Sequence, residues 1–70
     1  MFIIKWTNKL SKETGYVEKI NRKEGYFENT FEKTSAHSYK TIYQATKTVE
    51  WLSASKEGEI NDFSLEQIEK

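Results

Sequence analysis

The best-marked element of the chain is a helix, where residues 41–52 read TIYQATKTVEWL. Thr41 and Gln44 fit a capping box, in which the threonine hydroxyl accepts from the third helical N–H group and the glutamine reaches back to the threonine amide. The residues that form a stripe about 100° wide at helical spacing are Ile42, Ala45, Thr46, Val49 and Leu52. The pattern predicts an amphipathic helix that runs to about Lys56, ends with Gly58 in a left-handed conformation, and needs another layer to cover its stripe.

Strand patterns before the helix supply that layer. Strands are predicted at residues 2–7, 16–20 and 26–31. In the first of them, Phe2, Ile4 and Trp6 recur at every second position and are expected to face the core. Gly15 and Gly25 close the polar loops between the strands. The simplest arrangement is a three-stranded antiparallel meander with the helix packed on one face.

The tail of the chain fits two structures. Phe63 and Leu65 alternate with polar residues, as in a half-buried strand, whereas Ser64 and Gln67 also fit a second capping box. A helix that began at Ser64 would have too few residues to be stable alone, so we favour a fourth, C-terminal strand. The expected fold is α+β in the order β-β-β-α-β, within one small domain of residues 1–70.

Composition limits the classes of protein to which the chain can belong. Its 70 residues include no Cys, no Pro and ten aromatic side chains. Without cysteine, neither disulfides nor the commonest zinc sites can brace so small a core, so aromatic burial or a homodimer must do so. No apolar run approaches the ~20 residues of a membrane span, and the apolar start is too short for a signal peptide. We therefore expect a cytoplasmic protein with no membrane association.

Charge is distributed unevenly along the sequence although the net charge is zero. Residues 1–23 hold six bases against two acids, and residues 57–70 hold five acids against one base. Two explanations remain open. The two segments can lie side by side and neutralise each other across the sheet, which we favour, or the basic segment can form a nucleic-acid face.

Catalytic chemistry is poorly supported by the sequence. A Ser–His–Asp triad would need to join His37 and Asp62, the only residues of their types, and no serine lies in a nucleophile elbow. His37 also lacks a second His or Cys with which to hold a metal. The three glycines are isolated and none opens the helix, so no phosphate-binding loop is present. We therefore expect a non-enzymatic protein that uses no cofactor and no metal.

Two surfaces are candidates for binding a macromolecule. For a partner protein or a second copy, we expect the outer sheet face, the sheet edges and the flank of the helix to form the contact. The candidate residues of this surface are Ile3, Tyr16, Ile20, Tyr26, Tyr43 and Trp51. The alternative is a nucleic-acid-binding module that uses the first β-hairpin, where bases alternate with aromatic residues. Its candidate residues are Lys5, Lys9, Lys12, Lys19, Arg22 and Lys23. A single Arg and eleven acids favour the protein partner.

Two family resemblances accompany these patterns. Within residues 25–52, a loose motif joins an Ala, an aromatic residue, a Lys-Thr cap and an Ala-bearing helix, at Ala36, Tyr39, Lys40, Thr41 and Ala45. The motif resembles small uncharacterised proteins of low-GC Gram-positive bacteria and their phages, which implies an α+β fold and a host or prophage setting but no activity. Over residues 2–52, three strands followed by a helix also resemble the arm-type DNA-binding domains of phage and transposon integrases. That resemblance implies a sheet that lies on duplex DNA.

Overall fold

The computed structural model describes residues 1–69. Its helices and strands are β1 (Phe2–Asn8), β2 (Thr14–Asn21), β3 (Tyr26–Thr30), a 3-10 turn (Lys33–Ser35), α1 (Ile42–Ala54), α2 (Glu57–Ile60) and β4 (Asn61–Gln67). The four strands form one antiparallel sheet in the order β3-β2-β1-β4, and α1 packs on one of its faces. The predicted α+β fold and its β-β-β-α-β order are therefore confirmed, and the tail is a strand. The short helix α2 was not predicted.

The two ends of the chain lie beside each other in the sheet. Strand β1 pairs with β4 along its whole length, from Phe2 opposite Gln67 to Asn8 opposite Asn61. Lys9 at the end of β1 lies 3.9 Å from a carboxylate oxygen of Asp62. The basic beginning and the acidic end are therefore neighbours, as the favoured explanation of the charge pattern required.

The helix begins as its capping box predicts but is rotated relative to its predicted stripe. The hydroxyl of Thr41 accepts a hydrogen bond from the N–H of Gln44 at 3.2 Å. The buried positions of α1 are Ala45, Thr48 and Leu52. Ile42 is 59 % exposed and Thr46 is exposed, so their assignment to the buried stripe was wrong. Thr48 can be buried instead because its hydroxyl donates to the carbonyl of Gln44 at 3.1 Å, which leaves its methyl group for the core.

An irregularity in β2 changes which side chains face the helix. The β2–β3 register shifts between Val17 and Lys19, so one residue of β2 has no partner and the following side chains change face. Val17 and, beyond the shift, Ile20 both lie on the helix side, where Ile20 packs against the core. The prediction that Ile20 lies on the outer face was therefore wrong.

The outer face of the sheet is covered around Ile3. Lys33 of the 3-10 turn forms an ion pair with Glu66, which lies opposite Ile3 in the β1–β4 register. The hydrogen bond to Glu66 raises the pKa of Lys33 above its ordinary value. Ile3 is 0 % exposed although its neighbour Ile4 faces the helix, so the expected free apolar face does not exist at this position.

The segment between the 3-10 turn and α1 lies beside both β1 and β2. Tyr39 exchanges two backbone hydrogen bonds with Phe2, of 2.9 and 2.8 Å, and the N–H of His37 donates to the carbonyl of Val17 at 3.0 Å. Ala36, just before these contacts, is buried. The chain thus passes from the outer face of the sheet to the helix side at the end of β1 where Phe2 lies, and this passage places His37 and Tyr39 beside the start of α1.

The close packing of Trp6 on β2 requires glycine at position 15. A Cβ atom at Gly15 would lie 2.5 Å from Cζ2 of Trp6, whose ring is buried in the core. We expect Gly15→Ala to lower the free energy of unfolding by about 1–3 kcal/mol, the usual cost of overpacking. Urea unfolding followed by far-ultraviolet circular dichroism measures this loss. In a Trp6→Leu background, Gly15→Ala should lower the free energy of unfolding by much less. Equal losses in both backgrounds would refute the proposed clash.

Candidate functional site

The residues predicted to form a protein-binding surface do not form one patch. Ile3 is buried and Ile20 faces the helix, as described above. Tyr16 is half-buried, and Tyr26 is 43 % exposed, with its hydroxyl 3.4 Å from the side-chain nitrogen of Asn21. Only the last of these four side chains is therefore open to a partner on the outer face.

The two aromatic residues predicted on the flank of the helix do lie on one side of α1. Tyr43 is 69 % exposed, whereas Trp51 is half-buried against the core. Lys47 lies between them in sequence, and its ammonium group is 5.6 Å from the centre of the Tyr43 ring. The guanidinium group of Arg22 is 5.1 Å from the centre of the Trp51 ring. Each ring therefore contacts a cation, a favourable interaction that restricts where the cation lies.

The basic residues of the first hairpin are divided between the two ends of the sheet. At the end where β1 leads into β2, Lys9 donates to the carbonyl of Gly58 at 2.8 Å, and Lys12 lies in the loop. Lys5 is half-buried within β1. At the end where β2 leads into β3, the structure places Lys19 opposite Glu28, with Arg22 and Lys23 in the turn. The hairpin therefore does not present its six bases on one continuous surface.

A basic cleft of about 580 Å³ lies beside the first two turns of α1. Its basic side chains are Arg22, His37, Lys40 and Lys47, and its aromatic rings are those of Tyr39 and Tyr43. Its other lining residues are polar and uncharged, namely Ser38, Gln44 and Thr48. None of the residues that line the cleft carries a carboxylate, so its chemistry favours a negatively charged ligand.

Three parts of the chain bring these side chains together. Arg22 comes from the β2–β3 turn, His37 and Lys40 from the segment that passes beside the sheet, and Lys47 from the second turn of α1. The ring of His37 meets that of Tyr39 edge to face, with 4.6 Å between the ring centres. Backbone hydrogen bonds fix this segment to β1 and β2, so the walls of the cleft belong to the folded framework.

The positive charge of the cleft is only weakly compensated. Lys47 is 3.9 Å from a carboxylate oxygen of Glu50, but both side chains are 59 % exposed, and water screens such a pair strongly. The cleft also adjoins the N-terminus of α1, where the helix dipole adds a partial positive charge. Arg22, Lys40 and Lys47 thus give the cleft three full positive charges.

A second cavity, of about 310 Å³, lies at the opposite end of β1. It is lined by three asparagines and three aromatic residues together with Glu13, namely Asn8, Asn29, Asn61, Trp6, Phe27 and Phe31. Within the described part of the chain, the indole nitrogen of Trp6 is buried and has no hydrogen-bond partner. Because this cavity has no basic side chain, its chemistry differs from that of the basic cleft.

Sequence reasoning found some residues of the basic cleft but did not group them. Arg22 was assigned to the hairpin and Tyr43 to the helix flank, whereas His37 was considered only for catalysis and metal binding. The sequence signal that was overlooked is Tyr43 followed four positions later by Lys47, a spacing that places both on one side of a helix. The approach of Arg22 from the β2–β3 turn has no counterpart in the sequence pattern.

The structure does not assemble the residues of the hypothetical triad. The N–H of His37 donates to the carbonyl of Val17 on β2, whereas Asp62 lies on β4, on the other side of β1 in the sheet. Among residues 1–69, no group of three or more His, Cys, Asp or Glu side chains could hold a metal ion.

Comparisons with known proteins add no functional information. No family model, no curated protein and no solved structure matches the chain. Within residues 1–69, no helix has the length and apolar character needed to cross a membrane. The resemblances to phage-related proteins and integrase domains therefore stay hypotheses.

Proposed function

We propose that the protein is a small non-enzymatic binding protein, and that an acidic segment of a partner protein occupies its basic cleft. The observation that carries the proposal is the lining of the cleft, which includes three full positive charges and no carboxylate. Interfaces with complementary charge gain specificity and a faster association rate. The cations also come from separate parts of the chain, so they border the cleft on more than one side instead of lying along one strand.

The contacts of the aromatic rings favour an acidic segment over single-stranded nucleic acid. Base stacking requires open ring faces. Here the cation of Lys47 lies against the Tyr43 ring, and that of Arg22 lies against the half-buried Trp51. These rings hold cations in place, which suits recognition of an anionic group more than recognition of a base.

Nucleic-acid binding by the first hairpin stays the alternative hypothesis. Its bases lie at both ends of the sheet, and Lys9 is already bonded to Gly58 and close to Asp62. The chain carries no net positive charge, so long-range attraction to a phosphate backbone is weak. Cytoplasmic location, a phage or prophage setting and self-association as a homodimer rest on sequence reasoning alone, and light scattering would measure the oligomeric state.

A titration with a short, end-blocked oligoglutamate peptide tests the proposed function. Trp51 provides the signal, because a ligand that moves Arg22 should change the fluorescence of the indole that it contacts. We expect saturable binding that weakens as salt is added, since screening reduces attraction between exposed charges. The Lys40→Gln/Lys47→Gln double variant should bind roughly tenfold more weakly, a loss of ~1.4 kcal/mol.

The matched control for this titration is Lys12→Gln, which removes an exposed base far from the cleft. It should bind oligoglutamate as the unchanged protein does. If the control and the double variant weakened oligoglutamate binding equally, the attraction would be non-specific and electrostatic. That result would overturn the proposal. A gel-shift titration with random single-stranded and duplex DNA completes the comparison, since tight, salt-sensitive DNA binding that fails in Lys12→Gln would favour the hairpin instead.

A further inference from the structure

We propose that the group recognised in the basic cleft is a phosphomonoester dianion, carried on a phosphorylated side chain of the partner protein. The inference rests on the proposed function and specifies its ligand. A phosphorylated side chain carries a charge of about −1.5 to −2 at neutral pH and three strong acceptor oxygens. No carboxylate side chain offers so much charge at one point.

The arrangement of charge in the cleft carries this inference. Arg22, from the β2–β3 turn, lines the same cavity as Lys40, which precedes α1, and Lys47, which lies on α1. A row of cations along a strand would match a run of single negative charges spaced along a peptide. Cations that border one cavity from three segments suit instead a single group of high charge, whose oxygens can be directed to different donors.

Arg22 is the residue best suited to bind the oxygens directly. A guanidinium group presents paired N–H donors that match two oxygens of a phosphate, whereas an ammonium group acts as a point charge. Contact with the Trp51 ring holds the guanidinium beside the cleft, so less rotamer freedom is lost on binding. Lys47 is similarly restrained over Tyr43, and Lys40 completes the set of full charges.

The experiment compares end-blocked peptides of one sequence that differ at a single position, which holds tyrosine, phosphotyrosine, sulfotyrosine or glutamate. Phosphate and sulfate esters have nearly the same shape, but the sulfate carries only one negative charge. We expect the phosphotyrosine peptide to bind at least about tenfold more tightly than the sulfotyrosine and glutamate peptides, with the tyrosine peptide weakest. A phosphoserine peptide should share the preference, because no contact described above depends on the ring that bears the phosphate.

Arg22→Lys is the decisive variant because it keeps the charge but removes the paired donors. Its affinity for the phosphotyrosine peptide should fall about tenfold, while its affinity for oligoglutamate should change less than about threefold. Thermal melting followed by circular dichroism establishes that the variant folds. Lys12→Gln again serves as the control and should leave both affinities unchanged.

The remaining outcomes separate this inference from the proposed function. If the phosphorylated and sulfated peptides bound equally well and oligoglutamate still bound in the cleft, the preference for a dianion would be refuted. The proposed function would then remain in place. Inorganic phosphate that binds as tightly as the phosphopeptide would show that a free anion, and not a partner protein, is the ligand. Single-stranded DNA that binds more tightly than the phosphopeptide and displaces it from the cleft would also overturn the inference. Failure of every peptide to bind would remove both proposals.

Discussion

Gly58→Ala should lower the free energy of unfolding by about 3 kcal/mol or more, and we expect this to be among the most damaging single-methyl additions in the chain. A Cβ atom at Gly58 would lie 2.0 Å from the backbone oxygen of Ser53. That oxygen belongs to the last turn of α1, so relief of the clash requires the backbone of α1 or α2 to move. A core of this size contributes only ~3–5 kcal/mol, so a large part of the population should be unfolded.

Urea unfolding followed by far-ultraviolet circular dichroism measures the effect, and Gly25→Ala is the matched control. Gly25 has no heavy atom within 4 Å of its hypothetical Cβ, but its φ of +79° lies in the left-handed region. Alanine there should cost only about 1 kcal/mol, from backbone strain alone. If the two variants lost the same stability, the close approach of α2 to Ser53 would be wrong.

The role of Gly58 also shows where a local pattern is insufficient. A glycine after a helix usually adopts a left-handed conformation, which is what the sequence predicted. The described left-handed residues are instead Lys12 and Gly25, and Gly58 lies within α2. Its lack of a side chain serves close packing against the backbone of Ser53, a contact that depends on the path of the chain between α1 and β4.

The predictable parts of the fold are those that depend on neighbours in sequence. The strand at Phe2, the cap at Thr41 and the final strand around Phe63 follow from alternation and from local hydrogen bonding, and all three are present. The change of face at Ile20 could not be predicted in this way. That change of face follows from the register shift in the β2–β3 pairing. The residue pattern of one strand does not indicate how it pairs with its neighbour.

The candidate site was less predictable than the fold because its residues converge only in three dimensions. Arg22 and Tyr43 are distant in sequence and were placed on separate surfaces. Both line the basic cleft together with the segment that passes beside the sheet, where His37 and Tyr39 bond to the backbones of β2 and β1. Neither hydrophobic periodicity nor a capping motif reports such a contact.

Leu52→Ala should lower the free energy of unfolding by about 2–4 kcal/mol, because it opens a cavity in the centre of the core. Leu52 is 0 % exposed and packs with Ile4, Trp6 and Val17. Removal of three carbon atoms there loses contacts on the sheet as well as on α1. Against a total of ~3–5 kcal/mol, this loss should leave much of the protein unfolded in the absence of urea.

Ile42→Ala is the matched control, since Ile42 lies on the same helix and belonged to the same predicted stripe. With 59 % of Ile42 exposed, its truncation should cost less than about 1 kcal/mol. Urea unfolding of both variants, with circular dichroism at the helix band, therefore decides between two orientations of α1. Comparable losses of stability in the two variants would show that Ile42 is buried and that α1 is rotated relative to the orientation described above. That rotation would also move Tyr43 and Lys47 relative to Arg22, so the packing of Leu52 underlies the basic cleft as well as the stability of the fold.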